Sequence, residues 1–116
     1  MNDLNRRELV DWIIANRRGM AFKDYPYAKI DTLVVESAAQ DLLCISTENG
    51  QINGVVCGTR VAHGIWIHDI LTTKRGVMKK FLQFYVNKFG QIPILGEAHG
   101  RLRLFVDPSK VERKMK

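Results

Sequence analysis

Apolar residues along this chain recur in two distinct rhythms. Between Asp3 and Arg18, Leu9, Val10, Ile13 and Ile14 fall at the three- and four-residue steps of a helix stripe. Asn5 with Glu8 has the spacing of a capping box, and Gly19 is a natural terminator, so residues 1–19 are expected to form an N-terminal helix. From Gly76 onward Val77, Met78, Phe81, Leu82, Tyr85 and Phe89 repeat the same period until Gly90, which predicts a central helix over residues 75–89 with a wide buried face.

The other rhythm is that of strands. Thr32 to Glu36 is β-branched and apolar, Asp41 to Thr47 holds Leu42, Leu43, Cys44 and Ile45, and Gln51 to Val61 holds Ile52, Val55, Val56 and Cys57. Asn49-Gly50 between the last two is a strong hairpin signal, and Ala62-His63-Gly64 turns the chain into a fourth run beginning at Ile65. Residues 32–71 thus read as an antiparallel meander of four strands. A short fifth strand is expected at Ile92-Pro93-Ile94-Leu95, paired parallel to the fourth through the helix between them. Met20 to Ile30 contains Tyr25-Pro26-Tyr27 and reads as a loop, because proline forbids a helix interior or a central strand. Glu97 to Val106 is expected to add a helical turn or two before Asp107-Pro108, and residues 107–116 a basic tail.

Length fits a single domain over residues 1–116, of mixed α/β (α+β) class, with a core drawn from the 46% of residues that are hydrophobic. No apolar run reaches the roughly 20 residues of a membrane span, and Met1-Asn2-Asp3-Leu4-Asn5-Arg6-Arg7 is too polar for a signal peptide, so the cytoplasm is the expected location. Cys44 and Cys57 lie inside strand-like runs without metal-ligand spacing and read as small buried apolar residues, with a disulfide between them left open but unsupported. A net charge of +6 favours an anionic partner: a phosphorylated cofactor, an acidic protein or nucleic acid.

Chemistry concentrates where the fourth strand passes into the central helix. A helix start offers unpaired N–H groups and the positive end of a dipole to an anion. Leu71, Thr72, Thr73, Lys74, Arg75, Gly76, Val77 and Met78 form this junction, with two cations and a glycine that lets backbone approach a ligand. Just upstream, His68 and Asp69 are the titratable pair; strict alternation would send them to opposite faces of the strand. Histidine is the commonest general base near neutral pH, which makes His68 a candidate for that role.

A helix, an antiparallel meander, a strand entering a glycine turn and helix, then a parallel strand is an order that resembles the Gcn5-related N-acetyltransferase fold. Gly64 to Phe89 resembles its acetyl-coenzyme A binding unit, and His99-Gly100-Arg101 is similar to a segment of the small acetyltransferase-like proteins of tailed phages. The resemblance implies a mostly antiparallel sheet of about five strands with a crossover helix after the fourth and the family's last strands missing. It implies acetyl-coenzyme A held at residues 71–78, an amine acceptor, and His68 or Asp69 handling the amine proton. Thr73 and Met78 stand where the family has Gln or Arg and a second small residue, and Phe105 where a tyrosine would serve as acid. These departures imply an alternative: a non-catalytic member acting as a virion component or by binding a host protein, in host cytoplasm or virion, alone or as a homo-oligomer. Nonspecific nucleic-acid binding through Arg17-Arg18, Lys74-Arg75, Lys79-Lys80 and Arg101-Arg103 is a third expectation.

Overall fold

The computed structural model describes residues 3–19, 21–90, 92–98 and 101–106. The class is α+β. Helices α1 (Asp3–Asn16) and α2 (Tyr27–Ala39) precede strands β1 (Cys44–Glu48), β2 (Gln51–Val61) and β3 (Gly64–Thr72); helix α3 (Val77–Phe89) then leads to β4 (Ile94–Ala98) and β5 (Arg101–Val106). The five strands lie side by side in chain order. All neighbours are antiparallel except β3 and β4, which are parallel and joined by α3.

Three of the four residues of the stripe expected in α1, Leu9, Val10 and Ile13, are fully inside, while Ile14 is exposed. The helix already includes Asn5, which is therefore not its N-cap, and it ends at Asn16 rather than Gly19. The strand expected at Thr32 to Glu36 is instead the middle of α2, and the loop expected to reach Ile30 ends at Pro26. Proline stands at the N-cap of α2, where its missing N–H is no loss, and its carbonyl accepts from Lys29 and Ile30. Burying Ile30, Val34 and Ser37 on one side outweighs the slight helix reluctance of a β-branched run, which amounts to only tenths of a kcal/mol per residue, about 0.7 at most. The end of α2 is a Schellman motif: Leu42 N–H donates to Ser37 O at 2.8 Å and Asp41 N–H to Ala38 O at 3.1 Å, with Asp41 in the left-handed position usually held by glycine.

The antiparallel meander therefore starts at Cys44 and has three strands, so the crossover helix follows the third strand instead of the fourth. The hairpin at Asn49-Gly50 has positive φ at both residues, 53° and 78°, as a tight primed turn requires. The last segment, expected to be helical, is the β4–β5 hairpin, and the strand near Pro93 begins after the proline, at Ile94. The sheet thus has five strands, but one expected strand is a helix and one unexpected strand closes the edge. His99, Gly100 and the tail at 107–116 lie outside the described residues.

Helices cover both faces of the sheet. Leu9, Val10, Ile13, Phe22, Ile30 and Val34 pack on Val55, Cys57 and Leu71 on one side. On the other, Val77, Phe81 and Tyr85 of α3 pack on Val56, Ile65, Ile67 and Ile94. Two glycines permit close approach: a Cβ on Gly54 would lie 2.6 Å from Val77 Cγ1, and one on Gly64 only 2.3 Å from the Pro93 carbonyl oxygen. Cys44 and Cys57 are free and belong to opposite packing layers.

Candidate functional site at the end of strand β3

Two bulges shape the region that the sequence singled out. Asn53 is an extra residue in β2 against β1, and His68 an extra residue in β3 against β2. Each inverts the alternation downstream. Ile65 and Ile67 face α3, yet after His68 it is Ile70 that packs toward α3 while Leu71 enters the opposite layer. The alternation that predicted opposite faces for His68 and Asp69 is therefore broken at that pair. His68 is exposed on the bulge.

Asp69 is half-buried and occupied. Its Oδ1 accepts from the Phe22 N–H at 2.9 Å, and its Oδ2 is buried without a hydrogen-bond partner. Burial raises its pKa, opposed by the Phe22 N–H and by the charges of His68 and Lys29.

The strands β3 and β4 pair only at Ile65 with Ile94, Trp66 with Leu95 and Ile67 with Gly96. Beyond them residues 69–72 of β3 remain paired to β2 but not to β4, while β4 continues with β5. The two parallel strands part at the His68 bulge, and among the described residues no strand pairs with the edge of β3 beyond it, beside the start of α3.

At the turn itself the eight expected residues lie together but differ in what they offer. Leu71 and Val77 have buried side chains that belong to the two cores. The Thr72 carbonyl accepts from Arg18 Nη2 at 2.8 Å, and Thr73 donates its N–H and hydroxyl to the Asn53 carbonyl, at 2.9 and 3.3 Å. The Lys74 ammonium is paired with the Glu48 carboxylate, which also accepts from Asn53 Nδ2 at 3.5 Å. The Lys74 hydrogen bond and charge hold the Glu48 carboxyl below the usual carboxylate range. Arg75 is exposed and makes no ion pair among the described residues. Gly76 is the N-cap of α3 with φ 89°, and no side chain caps the helix, so its first-turn amides are left for an outside acceptor. Met78 is half-buried.

Glu48, Asn53, Arg18 and Phe22 were not among the residues expected here. Glu48 could have been suspected from the hairpin, since the turn at Asn49-Gly50 brings the end of β1 beside Asn53. The others depend on bulges and loop packing that leave no pattern in the sequence. The depression bounded by Glu48, Asn53, Thr73 and Lys74 has a volume of about 360 Å³. Another of about 440 Å³ lies between α1 and α2, far from this chemistry in the chain, and is lined by the Arg6–Asp31 ion pair, at 2.9 Å, with Arg7, Asp11 and Tyr27.

Among the described residues no cluster of His, Cys, Asp or Glu could hold a metal ion, and no helix is long and apolar enough to cross a membrane. Comparison with known proteins returns no matching family model, no matching curated protein and no matching solved structure.

Proposed function

We propose that this chain is a GNAT-like protein that binds acetyl-coenzyme A and transfers its acetyl group to an amine. The observation that carries the reading is the parting of β3 and β4 at His68 beside an uncapped helix start. An open strand edge supplies N–H and C=O groups to an extended amide-bearing chain, and the first turn of α3 supplies amides to its phosphates. The residues that would hold the cofactor are the backbone at Gly76, Val77 and Met78, the Arg75 charge, and the edge of β3 at 69–71, the Thr72 carbonyl being taken by Arg18. Bound there, acetyl-coenzyme A supplies a thioester as acyl donor. His68, exposed at the branch point, is the residue placed to take the amine proton, with Asp69 held under the chain at Phe22.

Calorimetric titration with acetyl-coenzyme A tests the cofactor half. Saturable heat that weakens on Arg75→Ala supports it; no heat at high micromolar ligand overturns it. His68→Gln tests the catalytic half, since it should abolish acetyl transfer while leaving cofactor affinity unchanged.

A second reading, binding without catalysis as a virion component or through a host protein, is favoured by a different pair of observations. Glu48 neutralises Lys74 at the turn, and Asp69 is engaged with backbone. Cofactor binding without transfer to any of a panel of primary amines, together with recovery of the chain in purified virions, would select it.

A further inference from the structure

The connection between α1 and α2 is pinned over Asp69 by contacts of unlike strength. Phe22 has φ 53° and Asp24 φ 59°, both left-handed and neither glycine. The Phe22 ring is fully buried and meets Tyr25 edge-on at 6.4 Å. Arg17 Nη1 binds the carbonyls of Phe22 and Tyr25, at 3.4 and 2.8 Å. The N–H of Phe22, by contrast, rests on one oxygen of a carboxylate whose other oxygen is buried and unpartnered.

We infer that residues 21–26 form a strap latched to Asp69, closed while its carboxyl is neutral and loosened when it ionises, so that opening exposes a carboxylate beside His68. The groups facing Asp69 are His68 on its own strand, Lys29 on α2 and the Cys57 thiol on β2. Lys29 is itself drawn over the Tyr25 ring at 3.9 Å. An ionised Asp69 keeps one good hydrogen bond and buries a naked oxygen, whereas lifting the strap returns that oxygen to water. The closed form binds the proton more tightly than the open form. Rising pH therefore favours opening, from the ordinary aspartate range up to the raised midpoint of Asp69, and not beyond. The strap goes beyond the acetyltransferase reading and stands without it.

The test is amide exchange by NMR across about pH 4 to about pH 8, corrected for intrinsic rates, alongside carbon-detected titration of the Asp69 carboxyl. The expected result is protection at Phe22 falling up to about tenfold per pH unit and levelling at the midpoint of Asp69, while Phe81 and Tyr85 in α3 keep theirs. Asp69→Asn retains an acceptor without a titration and should make Phe22 protection flat with pH. Flat protection in the wild type, a midpoint that differs from that of Asp69, or the same fall in Asp69→Asn would each overturn the strap. If Asp69→Asn does not fold, the match of the two wild-type midpoints decides alone.

Discussion

Lys74, at the turn before α3, is paired with Glu48, at the end of β1, across 26 residues of sequence. Two bulge-bearing strands have to be in register for this pair to form. Its effect is to cancel one of the two cations just ahead of the helix, so the charge available to an anion there comes from Arg75, from Lys79 and Lys80 in the first turn, and from the backbone. Glu48→Gln should therefore raise affinity for acetyl-coenzyme A several-fold at low salt, with the gain fading as salt rises, and leave the thermal midpoint where it is. Calorimetry at two ionic strengths checks this. An unchanged affinity would show that the turn is not where the anion sits.

Gly64 is the residue at which β3 and β4 come together. A methyl there would overlap the Pro93 carbonyl oxygen, which accepts from the Ile65 N–H at 3.0 Å. Gly64→Ala should cost on the order of 2 kcal/mol, in the range of overpacking in a filled site. The lowered midpoint of urea unfolding would measure it.

Tyr85 carries its hydroxyl into the core, where it donates to the carbonyl of Leu42 just ahead of β1. Burial raises its pKa well above the usual tyrosine value, so it stays a neutral donor. Tyr85→Phe leaves that carbonyl inside without a partner and should destabilise by about 1–2 kcal/mol. Equilibrium denaturation with an unchanged slope would identify the loss as one of stability rather than of compactness.

Burial pushes the Cys44 thiol up to about 11 and the Cys57 thiol up to about 12. Thiolate is scarce on both near neutrality, so a disulfide reagent at mildly alkaline pH should label the native chain slowly, Cys44 before Cys57, and the denatured chain fast. Both folded values lie above the unfolded one, so burying neutral thiols favours the native state below about pH 9 and that contribution is lost as pH rises through 11 and 12. Thermal midpoints should fall over that alkaline window and fall less in Cys57→Ala.

The helices α1 and α3 and the hairpin at Asn49-Gly50 were legible because periodicity and turn chemistry act locally and agree with the final packing. Thr32 to Glu36 misled because its local preference for a strand is weak and the burial of Ile30 and Val34 overrides it. The alternation Arg101-Leu102-Arg103-Leu104 is a period-two pattern that could have announced β5. At the candidate site the positions of residues 71–78 were readable from the strand-to-helix change. The burial of Val77 follows from the helix stripe, but the loss of Leu71 to the core, the Glu48 pairing and the occupation of Asp69 were not readable, since each depends on register between segments far apart in sequence.

The extra residue at His68 also sets what a deletion would do. Taking out that residue would join Ile67 directly to Asp69 and leave Gly58 opposite the one and Cys57 opposite the other, as they stand now. Ile70 would stay toward the layer built by Phe81, and Asp69 and Leu71 toward that of Phe22, as regular alternation from Ile67 requires. The strand is two segments of one phase with a single residue set between them, and His68 is a residue that the pairing itself does not need.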